Sequence, residues 1–252
     1  MKVIVMGGSG LIGKKLVARL IERGHDAAAA SPSSGVNAVT GEGLADALAG
    51  TEVVVDVTNS PSFEDAAVME FFDKSTRNLL AAGANAGVRH HVALSIVGAD
   101  DIPDSGYMRA KAAQEKLIQS SGVPYSILRA TQFFEFIGPI IAQFPADGQT
   151  VRAPSAFIQP ILSDDVADAL AEIAVAAPAN GIIDLAGPER FRFDDISRHF
   201  LSVTKDGREV VTDAQVRYFG AQLQDNALVP RGAARHAATR FLDWLHHSTV
   251  KT

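Results

Sequence analysis

Residues 1–13 read Met-Lys-Val-Ile-Val-Met-Gly-Gly-Ser-Gly-Leu-Ile-Gly. A short apolar run, rich in β-branched side chains, stops at a cluster of glycines, and an amphipathic segment begins at once. That order reads as strand, tight turn, helix. Glycines let the backbone turn sharply and come close to a ligand. The helix start then turns N–H groups and the positive end of its dipole toward an anion. The pattern predicts a pyrophosphate cradle, and so a dinucleotide site, built from Gly7, Ser9, Gly10, Leu11, Ile12 and Gly13. Spacing alone admits two registers, Gly8-x-Gly10-x-x-Gly13 and Gly7-x-x-Gly10-x-x-Gly13.

Working outward, strands and helices alternate. Lys2–Met6 is the first strand; the helix after it carries Leu16, Val17, Leu20 and Ile21 on one face and stops at Gly24. Ala27–Ala30 reads as a small-residue strand, Gly41–Gly50 holds a short helix, and Thr51–Val57 is a strand apolar enough to be covered on both faces. A long helix begins around Ser62 and Asp65 and closes near Gly87. Val88–Ser95 is the next strand, Ser105–Ser120 a helix, and Pro124–Leu128 another strand. Such alternation predicts an α/β, Rossmann-type doubly wound parallel sheet. After Arg129 the pattern loosens. Residues 132–162 carry aromatics and four prolines, followed by a capped helix from Ser163, a strand at Gly181–Leu185, a helix opened by Asp194, and a terminal helix with Phe241, Trp244 and Leu245. No linker or repeat divides the chain. Residues 1–252 are therefore expected to form one unit, with residues 132–162 and 188–252 supplying most of a small C-terminal substrate lobe.

Composition narrows the function. The chain is 47% apolar, and 23 basic residues against 29 acidic ones give a net charge of −6 without any basic block, which argues against nucleic acid. The absence of cysteine excludes disulfides, thiol nucleophiles and cysteine-based metal sites, and fits a reducing cytoplasm. No stretch is long and apolar enough for a membrane helix, so a cytoplasmic protein working on a small molecule is expected. No metal site is expected either, because His90 and His91 are adjacent in a strand and their side chains diverge. Monomer and homodimer are both open.

Three groups carry possible chemistry. Tyr107-x-x-x-Lys111 lies near a helix start, and positions i and i+4 share a face. Lys111 beneath the Tyr107 phenol would favour phenolate and let the hydroxyl exchange a proton with a substrate oxygen; the same lysine could bond a ribose. Ser95, ending the preceding strand, could donate a hydrogen bond to a carbonyl oxygen gaining charge. Asn59, with Thr58, ends the Asp56-Val-Thr-Asn run and is placed along the cofactor groove. The acidic residue expected about 20 positions after the glycines, which would hold a ribose 2′-hydroxyl, is missing. Ser31, Ser33 and Ser34 stand there instead, with Lys14 and Lys15 near the glycine turn. Hydroxyls accept a 2′-phosphate without repulsion, so NADP is expected over NAD, although the usual arginine is also absent.

Gly7–Gly13, Ser95, Tyr107-x-x-x-Lys111 and the run Val123-Pro-Tyr-Ser-Ile-Leu-Arg-Ala-Thr-Gln-Phe-Phe together resemble the atypical short-chain dehydrogenase/reductase family, NmrA-like branch. The Ser163-Asp-Asp-Val-Ala and Ala186-Gly-Pro-Glu segments resemble it too, so the likeness covers nearly the whole chain. The resemblance selects the Gly7, Gly10, Gly13 register. It implies NAD(P) binding with the nicotinamide near Ser95, Tyr107 and the loop containing Ala130, Thr131 and Phe133. Ala130 stands where that branch usually has proline. Many NmrA-like members lack the tyrosine–lysine pair and bind cofactor without turning it over; its presence here points to an NAD(P)H-dependent oxidoreductase acting on a small carbonyl or quinone-like acceptor. The alternative is a non-catalytic NADP(H)-binding sensor or regulator. Sugar-nucleotide modification is a poorer reading, because the lobe is short.

Overall fold

The computed structural model describes residues 1–249. In chain order the elements are β1 (Lys2–Met6), α1 (Leu11–Glu22), β2 (Asp26–Ala30), α2 (Leu44–Leu48), β3 (Val53–Asp56), α3 (Asp65–Ala86), β4 (His90–Ile96), α4 (Gly106–Gln119) and β5 (Tyr125–Ala130). Then follow α5 (Phe134–Ile141), β6 (Thr150–Ala153), β7 (Phe157–Ile158), α6 (Ser163–Val175), β8 (Gly181–Ala186), β9 (Phe191–Arg192) and α7 (Phe193–Val203). The chain closes with β10 (Glu209–Thr212), β11 (Arg217–Tyr218), β12 (Ala221–Gln222), β13 (Arg235–His236) and α8 (Phe241–Thr249).

Seven strands form one parallel sheet in the order β13-β8-β5-β4-β3-β1-β2. The chain winds outward from β1 in both directions, to β2 on one side and to β3 on the other. That reversal opens a crevice beyond the carboxyl ends of β1 and β3, where doubly wound sheets bind ligands. One face of the sheet is covered by α1 and α6, whose Leu16, Leu20, Val166 and Leu170 pack on Val3, Val5, Val55 and Val92. The other face is covered by α2, α3 and α4 in smaller clusters around Leu79, Ile118 and Phe72. A further core joins α5, α7, α8 and the short strands, and it takes in Ile102 and Met108 from around the start of α4. The lobe is thus welded to the sheet's carboxyl edge by shared apolar burial.

Some expectations need correcting. The strand expected at Thr51–Val57 is only Val53–Asp56, and β5 runs on to Ala130. Within 132–162 the structure has α5, which buries Phe134, Ile137, Ile140 and Ile141 at helical spacing despite Pro139 in its last turn. Helix α6 carries no side-chain cap. The Ser163 hydroxyl instead donates to Glu135 and accepts from Lys15. Lys15 also pairs with Asp164, while Arg19 donates to Asp164 (2.8 Å) and Asp168 (2.6 Å), lacing α1 to α6. Lys15 is thus engaged with α6.

The two histidines face opposite sides of β4. His90 Nε2 lies 2.8 Å from the Ser126 hydroxyl, and His91 is near the Asp56 side. Burial, reinforced by His91, pushes His90 down to about 4; burial pushes His91 down as well, against the pull of the Asp56 carboxylate. Both rings are neutral in the native state and protonate more readily when unfolded. Their contribution to stability is full above the ordinary histidine range and is lost as pH falls from about 6.5 toward about 4. Urea unfolding should show about 2 kcal/mol less stability at about pH 5 than at about pH 7 from His90 alone. His90→Asn should flatten that slope; a wild-type unfolding free energy constant across the window contradicts the reading.

Candidate active site

The glycine turn comes first because the sheet's crevice opens on it. Gly7 has φ +79°, where a Cβ would also stand 2.9 Å from the Val57 oxygen. Its N–H donates to Ala30 O at 2.9 Å, tying the turn to β2, and Gly10 N–H returns to Gly7 O at 3.0 Å. A Cβ on Gly13 would collide with the Gly7 carbonyl and with Gly8, and one on Gly8 would collide with Ala29. These three glycines are required by the protein's own packing. Gly10 is different: it is extended, exposed, and a Cβ there would meet only Gly7 O, at 3.3 Å. Ser9 and Leu11 flank it at the surface, Ile12 is buried, and no side chain caps α1. An open cradle at the start of a helix is the shape a pyrophosphate needs, so this part of the site fits a dinucleotide.

At the end of β2 the serines form a closed turn. Ser34 Oγ accepts from Ser31 N–H (3.0 Å) and donates to Ser31 O (2.9 Å), and the Ser31 and Ser33 hydroxyls are 2.8 Å apart. Ser33 and Ser34 are exposed and Ser31 is buried. At the end of β3, Thr58 donates through both N–H (3.0 Å) and Oγ1 (2.7 Å) to Asp56 Oδ1, which shapes the loop; Asn59 beyond it is exposed.

Asp56 anchors a buried polar chain. Its Oδ2 accepts from Gln114 Nε2 at 3.0 Å, and the Gln114 oxygen accepts from Lys111, whose Nζ also donates to Leu94 O at 2.9 Å. The ammonium sits 4.4 Å from the centre of the Phe72 ring. Burial pushes Lys111 down to about 8, with Asp56 and Glu115 pulling upward. Tyr107 lies apart from this: its ring leans on Phe63 (5.6 Å) and edge-on against Phe72 (6.2 Å). Burial lifts the Tyr107 phenol to about 12. The expected tuning of Tyr107 by Lys111 is therefore corrected. The lysine stem runs inward to β4 and Gln114, and the phenol stays protonated. Ser95 is also corrected as a free donor, because its hydroxyl donates to Glu115 Oε1 at 2.6 Å. Glu115 is held in turn by Arg129 (2.9 and 2.6 Å), which reaches Asp100 at 3.1 Å.

After β5, Ala130 is buried, Thr131 donates its N–H to Leu185 O, and Phe133 stacks on Phe136 at 5.6 Å. The Thr131 hydroxyl and both polar atoms of the Gln132 side chain are buried without a hydrogen bond of ordinary geometry among the described residues. Orphaned groups of this kind call for a partner, and they lie at the end of β5 where a nicotinamide was expected. Gln132 acts on Tyr218, a fully buried phenol from the lobe; burial and the Tyr107 phenol raise Tyr218 and Gln132 draws it back. Gln132, Tyr218, Phe63 and Phe219 were not foreseen. Only Gln132 carried a signal, as a polar residue inside an otherwise marked run.

A sequence model of NAD(P)H-binding proteins matches residues 7–175, two thirds of the chain, including the glycine turn, Tyr107, Lys111 and the segment after β5. The chain belongs to this NAD(P)H-binding family. Its place is in the NmrA-like group of atypical short-chain dehydrogenases/reductases. Among its relatives, the photosystem II assembly factor Ycf39 of Synechocystis sp. is 27% identical over 149 residues, 54% of this chain and 46% of that one. A (4-alkanoyl-5-oxo-2,5-dihydrofuran-3-yl)methyl phosphate reductase of Streptomyces griseus is 28% identical over 144 residues, 52% of this chain and 48% of that one. The chain spans about half the length of the curated relatives it matches. In fold it is similar to the dTDP-4-dehydrorhamnose reductase of Bacillus anthracis, with a TM-score of 0.72, 13% identity, and coverage of 100% of this chain and 99% of that one. No helix among the described residues is long and apolar enough to cross a membrane.

Proposed function

We propose that this NAD(P)H-binding protein is an oxidoreductase that reduces a small carbonyl or quinone-like acceptor. The observation that carries the reading is the protonated Tyr107 phenol, grouped with Tyr218 and the buried Gln132 at the sheet's carboxyl edge. Gly7–Gly13 would hold the diphosphate, and Thr131 with the backbone of residues 130–133 the nicotinamide end. When bound, the cofactor supplies a hydride to the electrophilic carbon. Tyr107 donates the proton that the carbonyl oxygen then needs, giving an alcohol. Lys111 and Ser95 act as positioning residues: one ties α4 to β4 and, through Gln114, to Asp56, the other steadies the Glu115–Arg129 pair.

We take NADP as the preferred cofactor, since the end of β2 has hydroxyls and no carboxylate. Ser31→Asp provides the test. Ser31 stands at the start of the short turn Pro32–Ser34, where aspartate caps as well as serine, so the fold should hold. A carboxylate there bonds a ribose diol and repels a 2′-phosphate. NADPH should bind wild type at least about tenfold tighter than NADH, about 1.4 kcal/mol, and Ser31→Asp should reverse the order. A tenfold NADH preference in wild type contradicts it.

A second reading has its own support. Ser95 and Lys111 are both satisfied internally, and the relative Ycf39 is named as an assembly factor. On that reading the protein binds cofactor as a sensor or regulator without turnover. Following NADPH consumption against quinones, ketones and aldehydes separates the two.

A further inference from the structure

The tip of the β11–β12 hairpin breaks a local rule. Tyr218 pairs with Ala221, leaving a two-residue loop, Phe219-Gly220, with φ +45° and +84°. Positive φ at both positions marks the type I′ turn, which favours Asn-Gly; a bulky aromatic at the first position is an outlier. The ring held there is half-buried and packs against the lobe core. It stands 5.7 Å from Phe63, which comes from the loop after β3 and is 54% exposed. Phe63 in turn lies 5.6 Å from Tyr107, and Phe219 lies edge-on to Tyr218 at 4.7 Å. Two segments of unrelated origin, one from the sheet and one from the lobe, thus bring an exposed ring and a half-buried ring together beside the two phenols. The conformational cost at Phe219 is retained where its ring bridges the lobe core and the exposed Phe63.

The electrostatics narrow the occupant. Rings, phenols and a carboxamide are all uncharged. Among the charged groups on these segments, Arg109 pairs with Asp65 and Arg217 donates to Gly220 O. Flat aromatic faces reward stacking with a flat ligand, and the phenols and Gln132 can meet a ring oxygen.

We propose that Phe63 and Phe219 form an aromatic jaw over Tyr107, and that the jaw selects flat, uncharged, conjugated acceptors over flexible aliphatic carbonyls. The proposal rests on the oxidoreductase reading for what happens next, but binding can be measured without turnover. The probe is 1,4-naphthoquinone, titrated calorimetrically into protein saturated with NADP⁺, which has no hydride to give; the chain has no cysteine for the quinone to arylate. Phe219→Asn removes the ring while supplying the residue the turn favours, which offsets the packing lost from the lobe core, so the protein should stay folded. Phe63→Ala removes the other face at an exposed position. Each variant should weaken naphthoquinone binding by about tenfold and leave NADPH affinity within twofold, and hexanal should bind wild type and variants alike. Absent naphthoquinone binding in wild type, or binding indifferent to both substitutions, overturns the jaw. Jaw-dependent binding without NADPH oxidation by any acceptor upholds the jaw and refutes the oxidoreductase reading.

Discussion

Gly10→Val abolishes dinucleotide binding and leaves the fold intact. Gly10 has φ −79° and ψ −178°, extended geometry in which a β-branched side chain is at ease, and its Cβ would meet only Gly7 O at 3.3 Å. The added isopropyl group therefore projects into the cradle at the start of α1 and excludes the diphosphate. NADPH affinity should fall by at least about a hundredfold, about 2.7 kcal/mol, with far-ultraviolet circular dichroism and melting temperature near wild type. Gly13→Val is the contrasting control. Its Cβ would collide with the Gly7 carbonyl and Gly8, so α1 could not seat on the turn and the protein should lose structure itself. Unchanged NADPH affinity in a folded Gly10→Val protein removes the cradle from the account.

Tyr107→Phe keeps the ring that packs on Phe63 and Phe72 and deletes only the hydroxyl. Cofactor affinity and stability should hold while turnover of a ketone or aldehyde falls. A positioned acid contributes roughly 10²–10⁴-fold. The structure favours the lower end of that range, because burial lifts Tyr107 to about 12 and the Lys111 charge is spent on Leu94 O and Gln114. Loss of about 10²-fold in kcat is expected. With a quinone acceptor the proton can come from solvent and the loss should shrink to a few-fold. Full activity of Tyr107→Phe on a ketone would remove the phenol from the chemistry.

The sheet was legible because its signals are local. A β-branched run, a glycine turn and an amphipathic helix agree at residues 1–22, and the same alternation repeats through Ala130. Gly7, Gly10 and Gly13 were legible for the same reason, although the division of labour among them needed coordinates: two are fixed by packing and one is left open. The lobe was less legible. Pro139 masks the apolar period of α5, and a two-residue strand such as β11 leaves no pattern, with Phe219 standing where the turn would ordinarily announce itself by asparagine. The spacing of Tyr107 and Lys111 gave a shared helix face and nothing about where a four-carbon stem ends. Ser95 looked free because its partner Glu115 is twenty residues on, held by an arginine on another strand. Pairings of that range are properties of the fold, beyond any window of sequence.

The central claim is that the crevice binds NAD(P)H and passes its hydride to a conjugated or carbonyl acceptor beside Tyr107. Its most direct test is the disappearance of reduced-nicotinamide absorbance when wild-type protein and NADPH are offered a panel of quinones, ketones and aldehydes. Acceptor-dependent oxidation that Gly10→Val eliminates is the expected result. NADPH that binds tightly yet remains reduced with every acceptor would contradict the claim and leave a protein that binds the cofactor without spending it.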